Sequence, residues 1–337
     1  MSPNRPIAKL KTATAPREEI VIARQMHQAL VLHFLEGLTQ AQIADQLGIS
    51  QPTVNRLIKR GRQLGLVEIK IKSPVEPLVD MEEQLLALGG ISRAVVVPTV
   101  SDNPQTALQA VGEAAARLLL EEISDGDTIC ITGGKGVGAV VAGLQPPRRF
   151  DVEVIPATGC VQGKHYTDVN HVSTLMADRL GGRSYQIHAP LFADSAAERG
   201  MLMNMRSVAD VFQRARDAKV AIVGIGSILS DDSSYYDLHP SSSTDRAAIE
   251  RSGASCELLA HLLDERGQVC DYSLNRSLVS LTLPEFASIP MKIGVASGPN
   301  KASPILSVIR GHHLDTLVTD EATGARVLEL AGEGKWA

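Results

Sequence analysis

The chain has 337 residues, too many for one small module and enough for two domains of roughly 100–200 residues each. Hydrophobic residues at 44% and charged residues at 21% exclude general disorder, and 3% aromatics leave the core to Ala, Val, Leu and Ile. A net charge of -5 argues on its own against a nucleic-acid binder. It is unevenly spread, however: residues 1–72 hold 11 Lys and Arg against 5 Asp and Glu, a net of +6, which leaves 22 against 33, a net of -11, for the rest.

Residues 1–20, with Arg5, Lys9 and Lys11 among Pro and Thr, have no apolar segment of the signal-peptide kind and read as a flexible basic arm. A DNA-binding domain is predicted over 21–73. Apolar residues at helical spacing run from Arg24 to Glu36 and stop at Gly37-Leu38. Thr39 is placed to cap a second helix, Gln40 to Leu47, and Gly48-Ile49 to turn the chain. Ser50 caps a third helix that carries Pro52 in its first turn, where proline costs no hydrogen bond. Gly65 ends it, and Val67–Lys72 alternates like a short strand.

Helix, Thr-capped helix, Gly turn, Ser-capped helix and strand make a winged helix-turn-helix pattern. Its third helix buries one side and offers amide, hydroxyl and cationic groups on the other. Amides and guanidinium groups suit base edges, and later cations suit phosphates. The DNA-contacting residues are expected to be Thr39, Gln40, Ser50, Gln51, Thr53, Val54, Asn55, Arg56, Lys59 and Arg60.

A linker and connecting helix are expected over 74–90, with the helix at Glu76–Leu88 before Gly89-Gly90. An α/β domain is expected over 91–332. Strand-like runs at Ala94–Val97, Thr128–Thr132, Val152–Pro156, Val220–Gly224, Lys292–Ala296 and Thr316–Val318 alternate with helical stretches. Four of these are Ala107–Ile123, Val208–Ala218, Pro304–Ile309 and Ala322–Leu330. That order implies a mostly parallel sheet, whose ligands bind at the carboxyl ends of the strands.

Three strand-to-helix loops there are unusual: Thr132–Ala139, Gly224–Ser227 and Ala296–Ala302. Glycines let backbone approach a ligand, and amides at a helix start hold anions. Gly134-x-Gly136-x-x-Ala139 formally matches a dinucleotide fingerprint, but the next strand ends in Pro156-Ala157-Thr158 without the ribose-binding carboxylate. The same loop lacks the Ser or Thr of a Walker A loop. Two lysines, Lys135 and Lys301, favour a phosphorylated or polyhydroxy ligand instead. No metal-ligand spacing, G-x-S-x-G elbow or acid/base pair stands out. The four cysteines form no CxxC pair and read as reduced thiols, and no apolar run is long enough to cross a membrane.

With Leu38–Ala44 and Leu47–Leu57 in the head, and Leu274-Asn275-Arg276, Ile289–Ala296, Lys301-Ala302 and Val318–Thr323 in the body, the chain resembles SorC-family transcriptional regulators. The resemblance runs from about Arg24 to Leu330. It implies a body similar to sugar-phosphate isomerases and deaminases, an oligomer, often a tetramer, and a response to a sugar, polyol or sugar phosphate. It also implies effector contacts at Thr132, Gly133, Gly134, Lys135, Gly136, Gly138, Gly159, Gln162, Asn170, Gly224, Gly226, Ser227, Asp271, Asn275, Gly298 and Lys301.

Two departures concern the effector. Gly134-Lys135-Gly136 stands where the family usually has Gly-Trp-Gly, and Gly253–Leu259 lacks the usual Gly-Asp pattern and aromatic pair. The resulting expectation is a cytoplasmic regulator of a carbohydrate or polyol operon, partnered by operator DNA, a small-molecule effector and copies of itself, without a cofactor. The alternatives are a sugar-phosphate isomerase or deaminase with an accessory DNA-binding head, and a pyridine-nucleotide sensor.

Overall fold

The chain divides into two units, residues 1–74 and 75–337, and the described residues of the first form three helices with their caps. The computed structural model describes residues 17–67, 78–161, 168–228, 233, 235–238 and 243–333. In the first unit α1 spans Arg17–Phe34, α2 Gln40–Leu47 and α3 Gln51–Gln63. The Thr39 hydroxyl accepts from the Gln42 amide and the Gln42 side chain accepts from the Thr39 amide at 2.9 Å, a capping box at the start of α2. Gly48 closes α2 at φ +65°, a backbone conformation that a Cβ resists. Ser50 accepts from the Thr53 amide and so caps α3.

Met26, Ala29, Leu30 and Leu32 of α1, Ile43 and Ala44 of α2, and Val54, Leu57 and Ile58 of α3 share one core. Gly61 permits the close crossing of α3 on α1, since a Cβ there would lie 2.6 Å from Leu30 Cδ1. One boundary differs from the sequence reading. Residues 17–20, assigned to the arm, belong to α1, because no Gly or Pro interrupts the chain between Pro16 and Gly37. The rest of the arm, the wing beyond Val67 and the linker to Pro77 lie outside the described residues.

The second unit is α/β. In chain order it holds α4 (Val79–Ala87), β1 (Arg93–Val97), α5 (Pro104–Glu122), β2 (Thr128–Ile131), α6 (Lys135–Gly143), β3 (Glu153–Pro156), α7 (Val169–Leu180), β4 (Arg183–Ser184), α8 (Ala196–Asn204), α9 (Arg206–Arg216) and β5 (Val220–Gly224). There follow β6 (Gly226–Ser227), α10 (Tyr235–Leu238), α11 (Ser243–Arg251), β7 (Cys256–Leu258), β8 (His261–Leu263), α12 (Ser273–Ser277) and α13 (Leu283–Ala287). The chain closes with β9 (Met291–Val295), a 3-10 turn (Pro299–Lys301), α14 (Ala302–Arg310), β10 (Thr316–Asp320) and α15 (Glu321–Gly332).

Seven strands form one sheet in the order β1-β10-β9-β5-β2-β3-β4, with every neighbouring pair parallel. Each strand predicted for this unit lies in it. The central strands are apolar throughout because both faces are covered, as β5 shows with Val220 to Val223 all buried. From β2 the chain steps to β3 and β4 on one side, whereas β5, β9 and β10 lie on the other. The order therefore reverses between β2 and β5, where open α/β sheets leave a crevice.

With few aromatics, density comes from small residues. A Cβ on Gly112 of α5 would fall 2.5 Å from the Ala139 carbonyl carbon of α6, and one on Gly143 would fall 2.8 Å from Glu113 Cα. A second sheet, β6-β7-β8, is antiparallel and has no counterpart in the sequence reading. Cys130, Cys160, Cys256 and Cys270 are all free. Among the described residues no helix is long and apolar enough to cross a membrane.

Candidate functional site

On α3, burial separates two faces. Val54, Leu57, Ile58 and Gly61 are buried, whereas Gln51, Asn55, Arg56, Lys59, Arg60, Arg62 and Gln63 are exposed. Asn55 and Arg56 near the first turns therefore stand beside a run of cations, the order that base reading followed by phosphate contact requires. Val54 does not belong with them: it is 0% exposed, and its place in the core corrects the expectation that it contacts DNA. Thr39 and Ser50 are exposed, but their hydroxyls act as caps, and the Ser50 hydroxyl also lies 2.8 Å from that of Thr53. Gln40 is half-buried at the start of α2.

In the second unit, the carboxyl ends of β2, β5 and β9 meet at the reversal of strand order. Thr132 is buried and accepts from the Gly224 amide at 3.4 Å, which joins the loops after β2 and β5. Gly134 takes φ +112° and leaves the start of α6 without a side-chain cap. Gly136 lies in the first turn, where a Cβ would be 3.2 Å from the Val295 carbonyl oxygen, so its absence lets α6 sit on the ends of β9 and β5. The uncapped amides of this turn, with Lys135 beside them, have the chemistry of an anion site.

The 3-10 turn is held from behind. Gly298, at φ +106°, donates its amide to Asp320 Oδ2 at 3.1 Å and to Thr323 Oγ1 at 2.8 Å. Thr323 gives Asp320 both its amide and its hydroxyl, and Thr99 adds a longer bond at 3.4 Å. Burial alone would raise the Asp320 carboxyl, but the hydrogen bonds from Thr323 and Gly298 outweigh it and hold the group below the usual carboxylate range.

Facing this turn is Glu257 of β7. It is paired across the small sheet with Gly226, whose missing side chain leaves room for the carboxylate. The carboxylate accepts from the Ala260 amide at 2.6 Å. Burial pushes the Glu257 carboxyl up, and the Ala260 amide and the Lys301 ammonium partly offset that shift. The uncapped start of α6 and the neighbouring Lys301 and Glu257 charges are thus the chemistry gathered around the reversal of strand order. The sequence reading missed Glu257 because it sits in the stretch that departs from the family pattern.

Several predicted contacts have their polar groups committed elsewhere. The Gly138 amide donates to the Gly134 carbonyl within α6, and the Gly159 amide to Val279. Asn170 clamps both backbone groups of Ile187, and Asn275 bonds the amide and carbonyl of Leu262 and the carbonyl of Cys270. Asp271 pairs with Arg276 at the surface. In this structure these five residues brace the loops from which they were expected to contact the effector. Thr132, Gly133, Gly134, Lys135, Gly136, Gly224, Gly226, Ser227, Gly298 and Lys301 are the residues on the converging loops, and Gln162 lies outside the described residues.

A further cavity of about 430 Å³ beside Cys160 is walled by Val161, His188, Ala189, Pro190, Leu191, Phe192 and Leu238. Among the described residues no group of three or more His, Cys, Asp or Glu side chains is placed to hold a metal ion.

Comparison with known proteins fits this geometry. Residues 73–329 match the family model described as "Putative sugar-binding domain". The chain belongs to the SorC family of sugar-binding transcriptional regulators. Residues 23–64 match Sigma-70, region 4, which covers the three-helix head. The transcriptional regulator LsrR of Escherichia coli (strain SMS-3-5 / SECEC) is 30% identical over 302 residues, 88% of this chain and 92% of its own. LsrR of Enterobacter sp. (strain 638) is 29% identical over 303 residues, 89% and 91% of the two chains. The full-length sorbitol operon regulator SorC of Klebsiella pneumoniae superposes with a TM-score of 0.69 at 27% identity, over 92% of this chain and 99% of that one. These relatives are transcriptional regulators and not enzymes, so this SorC-family chain is a regulator with a DNA-binding head and a body that binds a small-molecule effector.

Proposed function

We propose that this SorC-family regulator controls a carbohydrate or polyol catabolic operon in the cytoplasm, binding operator DNA through the exposed face of α3 and a phosphorylated sugar or polyol in the β2/β5 crevice. The observation that carries the reading is the pairing of an uncapped, glycine-started helix with the Glu257–Lys301 couple. The former suits a phosphate and the latter suits hydroxyls. Lys135, where the family usually has an aromatic residue, adds a second cation and strengthens the demand for an anion. A tetramer would present its heads in pairs to half-sites about one helical turn, or a multiple, apart.

The effector acts by preferring one arrangement of the heads, and a coupling of about 1–3 kcal/mol would change operator affinity roughly 5–150-fold. A thermal-shift screen with sugars, polyols and their phosphates, followed by operator-binding titrations with each hit, tests this. A phosphorylated hit that shifts operator affinity is the expected result; hits confined to unphosphorylated sugars would remove the anion site from the reading.

A further inference from the structure

Tyr235 of α10 is buried to 1% exposure among Ile228, Ile249, Ala254, Leu262 and Cys270, with Phe192 and Tyr236 edge-on at 6.5 and 5.8 Å between ring centroids. Its hydroxyl is buried and has no hydrogen-bond partner. A phenylalanine would fill the same space without stranding a polar group, so the oxygen calls for a reason of its own.

Sheet register supplies one. Glu257 lies directly opposite Gly226 across β6–β7 and opposite Leu262 across β7–β8, so these three positions share one face of the small sheet. Cys256, Leu258 and Leu263 turn to the other face and join the main core. Tyr235 shares a core with Leu262, which lies on the face that carries the Glu257 carboxylate, and Gly226 places no side chain there. Burial raises the phenol above its ordinary range, and the Glu257 charge adds to the shift.

We propose that Tyr235 and Glu257 together read one hydroxyl of the effector. The alcohol donates its proton to the Glu257 carboxylate and accepts a hydrogen bond from the Tyr235 phenol. Only a group that is both donor and acceptor satisfies the pair, so the site demands a hydroxyl; a carbonyl at that carbon strands the Glu257 carboxylate, and a methylene strands both partners. The proposal rests on the sugar-phosphate reading of the crevice and extends it to the end of the ligand remote from the phosphate.

The test titrates the full chain and its Tyr235→Phe variant by calorimetry with D-glucitol 6-phosphate, D-fructose 6-phosphate and inorganic phosphate. Melting temperatures serve as the folding control. Tyr235→Phe should melt no lower than wild type, bind D-glucitol 6-phosphate at least tenfold more weakly, and bind inorganic phosphate unchanged. Equal D-glucitol 6-phosphate affinity in the two proteins, or an equal loss for inorganic phosphate, overturns the role of Tyr235. If wild type binds none of the three probes, the failure belongs to the sugar-phosphate reading itself, and it is told apart from the failure of Tyr235 alone.

Discussion

Glu257 and Asp320 are two buried carboxylates with opposite tendencies, and each carries a measurable consequence. The fold raises the Glu257 carboxyl, so the native state holds that proton to higher pH than the unfolded chain does. Its contribution to stability therefore falls as pH rises from the ordinary glutamate value through the raised one. Glu257→Gln should flatten that slope in melting curves taken across mildly acidic pH. It should also weaken a polyol phosphate by about 1.5–3 kcal/mol, roughly tenfold to hundredfold, in calorimetry.

Asp320 behaves in the reverse sense. Its carboxyl is held low, so its stabilisation is present above the ordinary aspartate value and is lost as pH falls through the lower native one. Asp320→Asn strips the charge from the Gly298 and Thr323 hydrogen bonds and should cost about 1–3 kcal/mol, a drop of several degrees in melting temperature at about 2–4 °C per kcal/mol. A variant that melts with wild type at neutral pH would show that these bonds do not brace the turn.

Element by element, the sequence was legible where an element buries a continuous or periodic apolar face. The β1, β2, β3, β5, β9 and β10 runs are such cases, as are the three helices of the head, whose hydroxyl caps lie where Thr39 and Ser50 announce them. It was opaque where the stabilising contacts are short or distant. Strands β6 to β8 hold two or three residues each, too few for an alternation to show. Helix α8 has no buried residue among its nine, so there is no apolar stripe to find. Helix α6 reads as a loop because of its glycines, yet Val137, Val140 and Val141 bury one face and Ala139 meets Gly112 of α5.

Asn170 and Asn275 show the same limit, since their grip on distant backbone is invisible in the sequence. An amide that grips distant backbone looks, in one dimension, like an amide awaiting a ligand. Within the head, α3 offers a clean separation of roles. Arg56→Ala should weaken operator binding and lower the salt slope by about one, with an unchanged melting temperature. Leu57→Ala should cost about 2–5 kcal/mol of stability and lose DNA binding only by unfolding the head. Circular dichroism melts beside operator titrations distinguish the two, and an Arg56→Ala variant with wild-type affinity would displace α3 as the reading helix.

Over the whole molecule the charge partition becomes a binding property. A head of net +6 beside a remainder of net -11 confines DNA affinity to one unit. Each α3 exposes Arg56, Lys59, Arg60 and Arg62, so a pair of heads brings eight cations to the duplex. Contacts in that range should lower operator affinity by roughly 10³–10⁵ between about 50 and 200 mM salt. A fluorescence-anisotropy titration that falls less than tenfold over that interval would mean that most of these side chains do not meet phosphates.

The crevice is also divided between two supports. Its anion end belongs to helices standing on the seven-stranded sheet, and its carboxylate end to the separate three-stranded one. A ligand long enough to touch both acts as a staple between them, whereas a bare phosphate ion can only lodge at the first. Occupancy and signalling then come apart: free phosphate would act as a competitive antagonist that fills the regulator without switching it. On the proposed sugar-phosphate reading, the regulator's response would follow the ratio of sugar phosphate to phosphate and not the sugar phosphate alone.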